Sequence, residues 1–189
     1  MPVSTIHEAA TGAFEALFIA WAGNDLNHPL VATRAANFRG SSNKNKHPDS
    51  GWRPAYSAGG RATDWPTIAV EVAWAERRVQ VEEDVKFWLT ESNDQVNVAV
   101  TVTVHRRGKI SVEEWRSRGQ NRAPVPRQKI EIVRHPAPKC SRVSGSFRVP
   151  YEKIYTRKKP KNGSDFVLGP QEMESIAFRV WDTQFKGRP

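Results

Sequence analysis

The chain contains almost no cysteine and no long apolar run. Cys140 is the single cysteine among 189 residues, which excludes an internal disulfide and a cysteine-rich zinc site. The apolar stretch over residues 13–22 is interrupted by Glu15, and it is shorter than the roughly 20 residues that a membrane helix needs. The first residues also lack the basic segment of a secretory signal. We therefore expect an intracellular protein, nuclear or cytoplasmic, that does not enter a membrane.

Sequence signatures of several catalytic classes are missing as well. The five histidines are scattered, without the His-x-x-x-His or Glu-x-x-His spacing that places metal ligands on one helical face. The serines lack the Gly-x-Ser-x-Gly context of serine hydrolases. No Gly-x-x-x-x-Gly-Lys sequence occurs, so hydrolysis of nucleoside triphosphates by a P-loop has no support.

Positive charge is concentrated in one part of the chain. The formal net charge is +9, and 17 of the 29 Lys and Arg residues lie between Arg106 and Lys161, where four acidic residues occur. The rest of the chain carries 12 basic and 16 acidic residues. Such a segment fits a surface that binds a polyanion, because each phosphate that it neutralises releases condensed counterions. A solvated face that keeps the protein in solution is the alternative.

Hydrophobic periodicity predicts an α/β protein. Apolar residues recur every three or four positions in three segments, which predicts helices over residues 5–23, 77–90 and 170–182. Alternation and β-branched residues predict strands over residues 30–38, 67–75, 95–105, 110–115, 128–133 and 147–149. The polar run 40–46 predicts an exposed loop. The length of the chain favours one domain over residues 1–189.

Glu71 is the most informative residue of the chain. It lies within an apolar strand, on the face that carries only small residues such as Ala69 and Ala73. A carboxylate in such a place is costly to bury unless a cation meets it. The sequence therefore predicts a metal ion or a basic partner beside Glu71. An inward carboxylate held by an arginine or by backbone amides is the alternative.

Asp49 lies about twenty residues before Glu71, in the turn sequence Pro48-Asp49-Ser50-Gly51. Two carboxylates from successive segments are suited to a hard divalent cation such as Mg²⁺. The same four residues are also typical of an ordinary turn, in which the aspartate side chain hydrogen-bonds to the nearby backbone. Both interpretations of Asp49 are compatible with the sequence.

These segments together carry a resemblance. The order is a first helix, the Pro48-Asp49 turn, the Trp-Pro-x-x-x-x-Glu-Val strand of residues 65–72, a helix with Trp88, and a Val-rich strand. It resembles the restriction-endonuclease-like PD-(D/E)XK superfamily, and more narrowly a group of uncharacterised fungal proteins. The match covers residues 5–116, whereas residues 117–189 match only loosely. The resemblance implies a restriction-endonuclease-like core with a central mixed sheet flanked by helices.

The resemblance also implies a site. Asp49 and Glu71 take the two acidic positions that hold Mg²⁺ or Mn²⁺ in the superfamily, and Val72 is expected to add its backbone carbonyl. The lysine that usually follows two residues after the glutamate is absent, because that position is Ala73. Some members carry this lysine on the next helix, so Lys86 is predicted to position the attacking water. An ordinary surface lysine paired with Glu82 is the alternative for Lys86.

The resemblance therefore implies a metal-dependent nuclease that hydrolyses phosphodiester bonds of nucleic acid. Basic residues of the latter half are expected to bind the nucleic-acid backbone with little sequence readout; the predicted contacts are Arg106, Arg107, Lys109, Arg157, Lys158 and Lys159. Because Ala73 replaces the usual lysine, the alternative is a catalytically inactive module of the same fold that binds nucleic acid or a protein partner.

Overall fold

The computed structural model describes residues 5–34, 36–56, 64–74, 78–117, 123–134 and 141–186. Cys140 lies outside these ranges. The helices of the described chain are α1 (Thr5–Ala22), α2 (Arg78–Thr90), α3 (Tyr151–Tyr155) and α4 (Pro170–Gln184). The strands are β1 (Leu30–Ala32), β2 (Phe38–Arg39), β3 (Asn45–Lys46), β4 (Ser50–Pro54), β5 (Ile68–Trp74), β6 (Val98–Val104), β7 (Ile110–Arg116), β8 (Val125–Arg134), β9 (Ser141–Val143), β10 (Phe147–Val149) and β11 (Phe166–Leu168).

The centre of the fold is a seven-stranded mixed sheet in the order β1-β4-β5-β6-β7-β8-β9. β5 and β6 are parallel, with α2 between them in the chain, as a parallel pair requires a long connection. The other neighbouring strands of this sheet are antiparallel. This arrangement confirms the predicted α/β class, with a central mixed sheet and helices packed on it.

Strand β5 separates the two faces of the sheet. Ile68, Val70 and Val72 belong to the larger core, together with buried residues of α1 and α4. Ala69 lies in the second core, on the side covered by α2. Because side chains alternate along a strand, Glu71 also points to the α2 side, as its hydrogen bond with Trp88 shows. The small residues beside Glu71 allow α2 to pack closely over it.

The three long helices α1, α2 and α4 agree with the sequence predictions to within two residues, although Arg77, the predicted first residue of the second helix, is outside the described ranges. The short helix α3 was not predicted. The strand predicted over residues 30–38 is partly wrong, because it is too long. β1 ends at Ala32, and Arg34 follows in the left-handed region with φ 33°, which turns the chain out of the extended conformation.

The loop predicted over residues 40–46 is also partly wrong. Phe38–Arg39 and Asn45–Lys46 pair as a short hairpin, and Lys46 is only partly exposed. Polar strands of two residues carry no alternation signal, so the pattern could not reveal them. Among the described helices, none has the length and apolar character to cross a membrane.

The larger core depends on aromatic contacts around Phe18. Its ring stacks on Trp52 at a centroid distance of 4.1 Å and meets Phe166 edge-on at 5.1 Å. Replacement of this fully buried ring leaves a cavity between α1 and the sheet. We therefore expect Phe18→Ala to lower the free energy of unfolding by about 3–5 kcal/mol in urea denaturation.

The exposed Phe178 on α4 offers the matched control. Phe178→Ala is expected to change the free energy of unfolding by less than about 0.5 kcal/mol. Equal losses for the two variants would contradict the packing described for Phe18.

Candidate active site

Glu71 lies near the middle of β5 with 6% of its surface exposed. Its Oε1 accepts a hydrogen bond from Trp88 Nε1 at 2.6 Å. The same oxygen lies 3.3 Å from Lys46 Nζ. The buried carboxylate is thus met by a neutral donor from α2 and by a cation from the β2–β3 hairpin.

Lys46 also contacts a second carboxylate, in addition to that of Glu71. Its Nζ lies 2.9 Å from Asp84 Oδ1 on α2. Although burial opposes its charge, the neighbouring Glu71 and Asp84 carboxylates raise the pKa of Lys46 above its ordinary value. Gln80 Nε2 donates to the same Asp84 oxygen at 3.2 Å. Lys46 is therefore held as an ammonium ion between the sheet and α2.

Asp49 comes directly before β4, where Ser50 is opposite Val70 of β5. Its Oδ2 accepts a hydrogen bond from the backbone N–H of Val72 at 2.7 Å, and lies 3.1 Å from Nε2 of His7 on α1. The hydrogen bond with Asp49 raises the pKa of His7. Asp49 therefore continues the β4–β5 pairing with its side chain, and α1 is anchored to it.

The surroundings of Glu71 oppose its ionisation. Burial, with the negative charges of Asp49 and Asp84, raises the pKa of Glu71 to about 8, although Lys46 and the Trp88 hydrogen bond act in the opposite direction. Lys46 is thus insufficient to stabilise the ionised form of Glu71 in this surrounding. Among the described residues, no group of three or more His, Cys, Asp or Glu side chains is arranged to hold a metal ion by itself.

The structure brings together Asp49, Glu71 and Val72 of the predicted site, but not Lys86. Lys86 is exposed on α2, and within the described chain its predicted partner Glu82 pairs with Arg78 instead, at 3.0 Å. The geometry favours Lys46 over Lys86 as the lysine of this cluster. Val72 contributes its N–H to Asp49, whereas the resemblance implies a role for its carbonyl.

Sequence reasoning missed three residues of the cluster: Lys46, Asp84 and His7. Lys46 lies three residues before Asp49, within a run interpreted as a loop. Asp84 lies four residues before Trp88, so the two share one helical face, and this spacing was a usable signal. His7 reaches Asp49 across 42 positions of sequence, and no local pattern indicates that contact.

The predicted basic contacts lie at two separate places. Arg106 and Arg107 are exposed in the turn after β6, and Lys109 pairs with Glu131 at 3.2 Å. Arg157 and Lys158 are exposed after α3. That helix is bonded to the other end of β6, where Asn97 Nδ2 donates to the carbonyl of Lys153 at 2.8 Å.

Lys159, the last of the predicted basic contacts, belongs to an ionic group around the buried Asp165. Its Nζ lies 3.0 Å from Asp165 Oδ1, and Arg148 Nε donates to Asp165 Oδ2 at 2.6 Å. The structure therefore does not merge the six predicted contacts into one surface, and it gives Lys159 a structural partner.

A comparison with solved structures places this fold beside that of a candidate nuclease. It matches a crystal structure of a candidate nuclease belonging to DUF820 from Anabaena variabilis, with a TM-score of 0.51 and 10% sequence identity. The match covers 95% of this chain and 84% of that chain. At this identity the likeness shows a nuclease-like fold and leaves the chemistry open. No protein-family profile matches the sequence, and no curated protein sequence does.

The same comparison bears on the resemblance drawn from sequence. The shared fold agrees with a restriction-endonuclease-like arrangement of the sheet and helices. The narrower likeness to a fungal group stays a prediction, as does the extent of a single domain.

Trp88 stabilises the ionised form of Glu71 through its indole N–H. The loss of stability on removal of this N–H is therefore expected to depend on pH. Trp88→Phe should lower the free energy of unfolding by about 1–3 kcal/mol where Glu71 is ionised. With the pKa of Glu71 at about 8, the loss should be larger at pH 9 than at pH 6. Urea denaturation at the two pH values measures it.

Trp65→Phe is the control, because Trp65 packs against the same core. Its effect on unfolding should be the same at the two pH values. A pH-independent loss for Trp88→Phe as well would show that the indole acts only by packing.

Asp165 provides a second pH prediction. Burial opposes its ionisation, but hydrogen bonds from the Tyr151 backbone, Lys159 and Arg148 lower its pKa to about 2. Because an unfolded aspartate titrates near 3.9, its stabilising contribution is present above about pH 4 and is lost as the pH falls through about 2. Asp165→Asn should therefore cost about 2 kcal/mol at pH 6, and less with each step towards pH 2.5 in urea titrations. A constant difference over this range would contradict the assignment.

Proposed function

We propose that this protein is a metal-dependent nuclease that hydrolyses phosphodiester bonds of nucleic acid, with Asp49, Glu71 and Lys46 as its central residues. The observation that carries the proposal is the buried Glu71 carboxylate with Lys46 Nζ at 3.3 Å, beside the Asp49 turn. The nuclease-like fold supports this proposal, since the same fold is found in a candidate nuclease.

A divalent cation fits the residues that are present. Glu71 is buried among carboxylates that raise its pKa, and a cation relieves that repulsion. Mg²⁺ is typically bound through one or two carboxylates together with waters and substrate phosphates, so Asp49 and Glu71 are a sufficient protein contribution. The carbonyl of Val72 is the further ligand expected from sequence. When bound, Mg²⁺ or Mn²⁺ supplies Lewis acidity at the scissile phosphate and lowers the pKa of bound water.

Lys46 takes the role predicted from the sequence for Lys86. Its ammonium group donates hydrogen bonds but accepts none, so it orients the attacking water and attracts the phosphate. Asp84 orients Lys46 from the opposite side, at 2.9 Å. His7 holds Asp49 in place, at 3.1 Å, and so keeps the Asp49 carboxylate beside Glu71.

This arrangement accounts for the missing lysine at position 73. Ala73 lies two residues after Glu71 on the same face of β5, where the usual motif carries lysine. The ammonium group instead arrives from β3, upstream of the Pro48-Asp49 turn. We propose that the chain is a restriction-endonuclease-like protein in which the lysine has moved to another element while its charge stays beside the glutamate.

Nucleic acid is the proposed partner of the basic side chains. Arg106, Arg107, Arg157 and Lys158 are exposed, and phosphate contacts from such residues position a nucleic acid without reading its sequence. The two groups lie at opposite ends of β6. Removal of either group is therefore expected to lower the affinity for nucleic acid independently of the other.

Cleavage of single-stranded and double-stranded DNA and RNA with Mg²⁺ or Mn²⁺ tests the proposal. Asp49→Asn, Glu71→Gln and Lys46→Met should each lower the cleavage rate by at least about a hundredfold, because positioned charge and acid–base groups typically contribute this much. Lys86→Met is the matched lysine variant and should keep the wild-type rate. Circular dichroism and urea denaturation confirm that each variant is folded.

Two outcomes would contradict parts of this proposal. Loss of cleavage in Lys86→Met, with cleavage retained in Lys46→Met, would show that the catalytic lysine is Lys86 on α2. Salt-sensitive binding of nucleic acid without cleavage under every metal condition would instead favour the inactive binding module.

A further inference from the structure

The hairpin that carries Lys46 is separate from the central sheet. We call β2, β3 and the residues between them the Lys46 hairpin. Its strands pair only with each other in the described chain, Phe38 opposite Lys46 and Arg39 opposite Asn45. An isolated two-stranded hairpin is marginally stable in water. Other contacts must therefore fix the position of Lys46 relative to Glu71.

Phe38 fixes the base of the Lys46 hairpin. Its ring is 5% exposed, and it packs against Trp65 and Trp88 at centroid distances of 5.0 Å and 5.7 Å. These contacts hold the strand on the second core at the Phe38 end. The tip of the hairpin, residues 40–44, has other contacts.

Glu91 fixes this tip. It comes directly after α2, and its carbonyl accepts a hydrogen bond from the backbone N–H of Ser41 at 3.1 Å. Its carboxylate accepts from the backbone N–H of Ser42 at 3.3 Å and from the Ser42 hydroxyl. One residue of the α2 end therefore holds the hairpin tip through three hydrogen bonds.

Gly40 makes this close approach possible. A Cβ atom at position 40 would lie 2.8 Å from Cε2 of Phe87 and 2.9 Å from Cβ of Glu91, closer than carbon atoms can come without displacement. A larger residue would push the hairpin away from α2. Glycine at position 40 and the carboxylate of Glu91 therefore both contribute to the contact between the hairpin tip and the end of α2.

We propose that Glu91 is a positioning residue that holds the Lys46 ammonium beside Glu71 by fixing the tip of the Lys46 hairpin to α2. The proposal rests on the function proposed above for its catalytic consequence, but not for its structural one. Asp84, Trp88 and Glu91 all belong to α2 or its end, so this one helix orients both the lysine and the glutamate. Release of the tip would leave β3, which carries Lys46, held only by its two-residue pairing with β2 and by the contacts of Lys46 itself.

Amine acylation of the folded protein, followed by mass spectrometry, tests this positioning without any assay of cleavage. The modification rate of Lys46 is compared with that of the exposed Lys161 as internal reference. In the wild type, Lys46 should react slowly, because its partly buried ammonium group is held by Asp84 at 2.9 Å and beside Glu71 at 3.3 Å. In Glu91→Ala its rate should rise towards that of Lys161.

Three further variants sharpen this measurement. Glu91→Gln keeps an oxygen that accepts from Ser42, so it should keep the slow rate, and the exposed Glu83→Ala on α2 should have no effect. Ser42→Ala removes one of the three bonds at an exposed position and cannot collapse the core, so it should give a smaller rise. Unchanged acylation of Lys46 in both Glu91→Ala and Ser42→Ala would overturn the proposal.

Cleavage kinetics add the catalytic consequence. Glu91→Ala should lower kcat by up to about a hundredfold, since small displacements of a catalytic group can cost this much, with little change in KM. In a Lys46→Met background it should cost nothing further, because coupled residues are not additive. A full additional loss in that background would overturn the proposal. If the wild type cleaves no substrate, the acylation result still decides the positioning role, and only the nuclease proposal fails.

Discussion

The structure depends on how the carboxylate of Glu71 is accommodated inside the protein. An ionised carboxylate away from water is unstable unless cations and hydrogen-bond donors surround it. Lys46 and Trp88 supply one of each, at 3.3 Å and 2.6 Å. These two contacts draw the β2–β3 hairpin and α2 onto the same point of the sheet. Accommodation of this one buried carboxylate thus brings together elements that are far apart in sequence.

Helix α2 has more than one role around this group. Val81, Val85 and Trp88 bury its apolar stripe on the sheet, as its sequence pattern predicts. Asp84 and the Trp88 indole, one helical turn apart, contact Lys46 and Glu71. Glu91, at its end, holds the hairpin tip. Packing and orientation of the polar cluster are consequences of the same helix, so displacement of α2 would disturb both.

Local pattern was sufficient to predict where Glu71 and Asp49 lie in the fold. Alternation in residues 68–74 placed Glu71 on the face opposite Val70 and Val72, and the structure confirms this. Asp49 was identified from its Pro-Asp turn sequence, and it lies directly before β4 with its side chain bonded to Val72 of β5. The lysine was assigned to α2 because a superfamily pattern allowed it there. Nothing within residues 40–46 indicates that Lys46 turns inward, since its contacts come from β5 and α2.

The sequence by itself determined the α/β class, the three long helices, the faces of β5 and the need of Glu71 for a cation. Each of these follows from periodicity or from the cost of burying charge, which act over a few neighbouring residues. The tertiary structure decided which cation meets Glu71, which residues hold Asp49, and that the basic side chains form two groups. Those contacts join residues that are distant in the chain, and only the packing of helices on the sheet brings them together.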